Sequence, residues 1–255
     1  MITPESEFFR FTFHILPWIT YVVFVLGMVF QIRKWLSGAP SVLTEKSEAS
    51  IGRTIKSFFL NLIIQRRMLR KNSNSIILWI TCWLLFHIAL FAILFGHLRG
   101  FHIWYVDWFS WSDASANFLV KTLPYYVGFV VLAGAVLLLL RRIAFAAPRA
   151  ISTSGNYIVL LLIIMVIVAG ILMRVLPHTD EAFAVTVPPG FTMYLDDTPS
   201  LVWLTIHALI GQIIFMYIPF SGLIHIIGSI ITTIASARGE HNVKRNVKGN
   251  AEVAQ

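Results

Sequence analysis

The sequence predicts an all-α integral membrane protein: a five-helix transmembrane bundle with its N-terminus outside, its C-terminus cytoplasmic and a long, kinked last helix. Three observations predict it. Of 255 residues, 57% are hydrophobic and only 13% charged, an imbalance that water-soluble globules do not show. The few charges leave five uncharged stretches between them, each long enough for a helical crossing of about 20 residues. Basic residues are dense in alternate connections and sparse in the others. Little chain remains for a separate soluble enzyme domain. The net charge of +8 is read as orientation in a bilayer, not as an affinity for nucleic acid.

The uncharged stretches run from Phe11 to Ile32, Asn72 to Leu98, Thr122 to Leu140, Ala150 to Met173 and Thr198 to Ala237. They place the spans at about 11–32, 75–98, 122–140, 156–174 and 201–235, all within a membrane domain of residues 1–238, with a basic cytoplasmic tail over 239–255. Glu5, Glu7 and Arg10 precede the first span where a secretory leader would carry a basic region, so this span is expected to be retained. With the N-terminus outside, the segments Arg33–Lys71, Arg141–Arg149 and the tail from Arg238 hold 16 of the 20 basic residues, and only Arg10, Arg99, Lys121 and Arg174 fall outside. That asymmetry obeys the positive-inside rule. The fifth stretch covers 40 residues, about 60 Å as one helix. A hairpin at Pro219 would move the basic tail outside and leave a second arm too short to span, so one long helix bent at Pro219 is expected.

Between spans, Gly38–Ser50 reads as a linker. Ile51–Lys71 mixes Phe58, Phe59, Leu62, Ile63 and Ile64 with six basic residues, as a helix on the inner membrane surface or beneath a partner would. Arg99–Lys121 concentrates Phe101, Trp104, Tyr105, Trp108, Phe109 and Trp111, an interfacial aromatic belt or the roof of a ligand site. The single cysteine, Cys82, excludes an internal disulfide and an iron–sulfur or four-cysteine zinc site of the chain's own.

The histidines carry the most information. His87 and His97 lie in the second span and His207 and His225 in the fifth, where an ionisable group is a functional-site hypothesis by default. One such histidine is often a hydrogen-bonded helix contact; two pairs in two helices suggest more. Eighteen residues separate His207 from His225, five full turns of α-helix, so both leave one face about 27 Å apart. His87 and His97 are about 15 Å apart and offset by about 80°. Two facing helices with an upper and a lower imidazole make two stacked bis-histidine sites. Low-spin haem b needs two such axial ligands, and helix bundles supply them from facing helices; zinc would need more ligands around one centre. By depth, His97 goes with His207 near the outer face and His87 with His225 further in. Gly96, Ala89, Ala208, Gly211 and Gly222 would let flat macrocycles near the backbone or serve close helix packing.

At these residues the chain resembles the cytochrome b gamma subunit of respiratory nitrate reductase. The features that carry the likeness are FHIALFAILFGH with its ten-residue histidine spacing, IPFSGLIH closing the eighteen-residue spacing, the basic turn LLLLRR and ISTSGNY at the start of the fourth span. FGHLRGF, MRVLPHTD and QRRMLRKN are similar to the branch called DsrM, the membrane subunit of the sulfite-reduction-associated complex. The match covers roughly Lys56 to Thr233. The resemblance implies a subunit with two haem b groups in the cell inner membrane, the outer held by His97 and His207 and the inner by His87 and His225. It implies exchange of electrons with menaquinone or ubiquinone near the outer haem, and with an iron–sulfur subunit of a larger respiratory complex on the cytoplasmic side. Lys121 matches a lysine beside the quinone site of the relatives, though in a loop of different length. Arg99, Arg174 and His178, at the outer edge, are candidates to pair haem propionates; snorkelling to the interface is the plainer reading of Lys121 and of these three. His14, His102 and His241 are assigned no role. The terminal substrate would sit on other subunits, with sulfur compounds, nitrate or a heterodisulfide as alternatives.

Two readings of other classes compete. A proton transporter built on intramembrane histidines would need acidic partners in the spans, and the five uncharged stretches contain none. A structural anchor with packing histidines predicts a colourless protein.

Overall fold

Ser6 starts the first helix by accepting a hydrogen bond from the Phe9 N–H on its side chain, which satisfies a backbone donor that a helix leaves unpaired at its N-terminus. In the computed structural model, described for residues 3–37, 52, 55–56, 59–60, 74–105, 108, 112–176, 179, 181–195 and 197–228, five helices are long and apolar enough to cross a membrane. They are α1 (Glu7–Leu36), α2 (Ile76–Gly100), α3 (Asp113–Ala144), α4 (Ser154–Val175) and α5 (Leu201–Phe220). The protein is a multi-pass membrane protein, and many of its large apolar side chains face outward, as they do when the solvent is lipid. The linker Gly38–Ser50, most of Ile51–Lys71, His178, the far end of the fifth uncharged stretch and the tail 239–255 lie outside the described residues.

Three helices contain π-helical turns: Phe11–Ile15 in α1, Trp79–Ile88 in α2 and Phe118–Thr122 in α3. α3 starts at Asp113 on a Ser112 cap and not near Thr122, so Lys121 lies about two turns inside the helix and not at its start. α5 is α-helical only to Tyr217; Ile218–Phe220 tightens to a 3₁₀ turn and Ser221 is extended, with ψ 176°. Pro219 accounts for the break, since it has no N–H to continue the ladder. The step from His207 to His225 is therefore not one unbroken α-helix, and the five-turn count holds only as far as Tyr217.

Two compact units are distinguished, Met1–Gly27 with Ile80–Gly222, and Met28–Trp79 with Leu223–Gln255. Within the first, α2 packs on α3, α3 on α4, α4 on α5, and α5 on the start of α1. Small residues let the backbones approach. Gly128, Val131, Gly134 and Ala135 are the buried stripe of α3, and a Cβ at Gly134 would stand 2.9 Å from the backbone of Leu85 and Phe86. Small-residue stripes of this kind take the place of a hydrophobic drive between helices in lipid.

A two-stranded hairpin, β1 (Phe183–Val187) and β2 (Phe191–Leu195), joins α4 to α5 in antiparallel register from Phe183 opposite Leu195 to Val187 opposite Phe191. Gly190 takes φ +124° in its turn, a conformation that L side chains rarely adopt. Val185 packs with Phe9, Phe13 and Leu204, and Met173, Met193 and Ala208 border this cluster. The hairpin therefore caps one end of the bundle. Charge spacing does not reveal it, although FAVTV and FTMYL on either side of a Pro-Pro-Gly turn carry the signal of a hairpin.

Polar groups inside the unit are satisfied in pairs. Gln212 on α5 donates from Nε2 to the Thr12 carbonyl at 2.8 Å and accepts from the Thr20 hydroxyl at 3.3 Å. Thr12 lies in the widened Phe11–Ile15 turn, where the altered ladder brings a carbonyl within reach of a second donor. Gln212→Leu should cost about 1 kcal/mol, the scale of interhelical hydrogen bonds in membranes. The measurement is the unfolding midpoint in detergent; no change in it would mean that this link contributes nothing.

Candidate functional site: a histidine pair between α2 and α5

His97 stands one turn before the end of α2, and His207 two turns into α5. Their ring centroids are 5.9 Å apart and their planes within 11° of parallel. Neither ring is adrift. His97 Nδ1 lies 2.8 Å from the Ile93 carbonyl of its own helix, and His207 Nδ1 lies 2.8 Å from the Val166 carbonyl of α4. A carbonyl oxygen only accepts, so both Nδ1 atoms carry a proton, and in the neutral imidazole that places the lone pair on Nε2. That is the tautomer a metal-binding imidazole needs, held by the second hydrogen bond such ligands usually make.

Two imidazoles bound through Nε2 on opposite sides of one metal have centroids about 6 Å apart, given metal–nitrogen bonds of about 2 Å; the pair is at that separation. The surroundings also suit a flat group. A Cβ built at Gly96 or at Gly211 meets nothing within 4 Å, and Gly211, four residues on, shares the face of α5 that carries His207. Among the described residues, no three His, Cys, Asp or Glu side chains come together. Among the described residues the donor set is a pair of imidazoles from two helices, the set that haem b takes.

α4 contributes residues that the sequence reading missed. A Cβ at Gly170 would stand 3.1 Å from His207 Cε1 and 3.2 Å from its Nδ1, so this glycine keeps the seat of the ring open. Its signal is a lone glycine amid bulky residues in MVIVAGILM. Arg174, one turn further along α4, is within electrostatic range of His207, and Arg99 follows His97 by two residues. Both arginines therefore sit at the level where propionate partners are expected. Lys121 is exposed and makes no hydrogen bond or ion pair among the described residues.

His87 sits in the π-helical stretch of α2, its Nδ1 2.6 Å from the Cys82 carbonyl five residues back. The same tautomer logic applies to its Nδ1, which donates to that carbonyl. Trp83 stacks on it at 5.5 Å and Phe86 meets it edge-on at 5.0 Å. His225 opens the helical segment after Ile224 and belongs to the other unit; what supports pairing it with His87 is depth and spacing in the sequence. Of the aromatic loop, Trp104 folds back on α2, stacking on Phe95 at 4.8 Å and donating to its carbonyl. His102, with φ 55°, stacks on Tyr194 of the hairpin at 4.1 Å. The loop thus ties the end of α2 to the hairpin, a use that aromatic composition alone does not suggest.

A multi-pass helix bundle that brings two oriented imidazoles from different helices face to face is the scaffold class of membrane cytochromes b. Residues 74–236 match the family model described as nitrate reductase gamma subunit, and the chain belongs to that family. It is similar, at 23% identity over 93% of this chain and 82% of the relative, to an Hdr-like menaquinol oxidoreductase cytochrome b-like subunit of Archaeoglobus profundus. The corresponding subunit of Archaeoglobus fulgidus is 24% identical over 91% of this chain and 81% of its own. A subunit of the dihydromethanophenazine:CoB–CoM heterodisulfide reductase of Methanosarcina thermophila is 23% identical, over 92% of this chain and 96% of its own.

Proposed function

We propose that this chain is a di-haem b electron-transfer subunit of the cell inner membrane, exchanging electrons between a quinone pool and a cytoplasmic iron–sulfur partner within a respiratory oxidoreductase complex. The observation that carries the reading is the near-parallel His97–His207 pair, 5.9 Å apart, with both Nδ1 atoms bound to carbonyls. His97 and His207 hold the outer haem, and His87 and His225 the inner. Haem held by these histidines would supply reversible one-electron chemistry. The chain's own part is to fix both tautomers, seat the rings, neutralise propionates with Arg99 and Arg174, and exclude water. His178 would join these arginines, and Lys121 is the donor proposed for a quinone carbonyl, reached by snorkelling from its exposed place on α3.

The substrate is menaquinol or ubiquinol, and the names of the Archaeoglobus relatives favour menaquinol. The complex serves sulfur metabolism of the Dsr type; a heterodisulfide-reducing complex is the second reading, favoured by the Methanosarcina relative, and a nitrate reductase the third. The terminal chemistry belongs to other subunits. A reduced-minus-oxidised spectrum of the purified chain, with the haem-to-chain ratio, tests the proposal. Two low-spin haems b per chain are expected; a colourless protein would favour the structural anchor.

The orientation adds a vectorial consequence. Oxidation of one quinol yields two electrons and two protons; with the site near the outer face, protons leave outside while electrons move inward. Oriented vesicles supplied with quinol should release protons on the outer side, and release on the cytoplasmic side would overturn the proposed layout.

A further inference from the structure

Two histidines of the proposed sites find an Nδ1 partner on their own helix: the Ile93 carbonyl for His97 and the Cys82 carbonyl for His87. His207 instead reaches across to another helix, to the Val166 carbonyl of α4 at 2.8 Å. In an α-helix that carbonyl already accepts the N–H of residue 170, and the side chain at 170 borders it. Residue 170 is glycine, and the His207 ring lies where a Cβ would crowd it, 3.1–3.2 Å away. We infer that Gly170 and the Val166 carbonyl form a positioning device for the His207 imidazole, through which α4, a helix with no histidine ligand, tunes one haem and not the other.

The physical basis is the effect of a hydrogen-bond acceptor on the ligand that donates to it. Donation from Nδ1–H to a carbonyl adds negative character to the ring, makes Nε2 more basic and favours the more positive oxidation state of the metal. Crowding the ring lengthens or bends that bond and weakens the effect. Gly170→Ala moves His207 by a few tenths of an ångström without replacing a ligand residue. The inference rests on the haem reading above, and its test separates the two. The wild-type spectrum and the haem lost in His207→Ala identify the outer component. Redox titration of membranes carrying full-length Gly170→Ala should then show that component shifted to higher midpoint potential, with the other component in place. Met165→Ala, on the exposed face of α4, should move neither. An unshifted outer component in Gly170→Ala overturns the inference and leaves the haem reading standing; absence of haem in wild type overturns the haem reading itself. If Gly170→Ala fails to accumulate, the wild type still decides. With ¹⁵N-labelled histidine in the reduced, diamagnetic protein, an Nδ1–H signal shifted by strong hydrogen bonding should vanish in His207→Ala. A His207 signal of weakly bonded type would sink the device.

Discussion

Replacing His207 with alanine is expected to remove one of the two proposed haems and leave the spectrum of the other in place. The substitution deletes a proposed haem ligand and at the same time empties the Val166 carbonyl of its second donor, at 2.8 Å in the native site. Among the described residues no third His, Cys, Asp or Glu joins the pair to take its place. The haem-to-chain ratio should fall from two to one, and quinol-dependent reduction of the remaining haem should fall at least about tenfold with loss of the ligand-held outer site. His97→Ala should remove the same component, whereas His87→Ala and His225→Ala should each remove the other. Two intact haems in any one of the four variants would show the ligand assignment to be wrong.

Gly134→Leu is expected to prevent assembly of the bundle, and Gly134→Ala to weaken it. The obstacle is backbone: a Cβ would meet Leu85 C and Phe86 N at 2.9 Å and Leu85 O at 3.0 Å. No rotamer change relieves such a contact, so α2 and α3 must separate, and overpacking of this kind costs about 1–3 kcal/mol or more. The displaced backbone immediately precedes His87, so the inner haem should be lost first as the Gly134→Ala protein is warmed in detergent. Gly128→Ala is the comparison. Its Cβ meets only the Ile171 side chain, at 3.3 Å, which can rotate away, and its unfolding midpoint should fall less. Equal midpoints for the two alanine variants would contradict the close backbone approach at Gly134.

Much of this protein is legible in its sequence, because the bilayer penalises unsatisfied backbone so heavily that a long uncharged run can only be a helix. The five spans are readable from where the few charges fall, and the histidines stand out because ionisable groups are costly among Leu, Ile and Phe. The helix ends are less legible. α3 starts at Asp113 because Ser112 caps it, and a cap is a local hydrogen bond that charge spacing does not report. The π turn around His87 and the break at Pro219 alter the angular relations that ideal α-helices would give. The hairpin is hidden by its small size, although its alternation and its glycine turn are present.

The sequence by itself determined the solvent of this protein, its helical class, and four histidines as the residues around which its chemistry is proposed. These are properties of single segments: transfer of side chains to lipid and closure of backbone hydrogen bonds within a helix are decided residue by residue. Only the tertiary structure decided that His97 and His207 stand 5.9 Å apart, that a carbonyl of α4 sets the tautomer of His207, that a side chain at Gly134 would meet backbone and that one at Gly170 would crowd His207. Those facts depend on how two helices approach, a distance set by packing between segments far apart in the chain, and no single segment carries it.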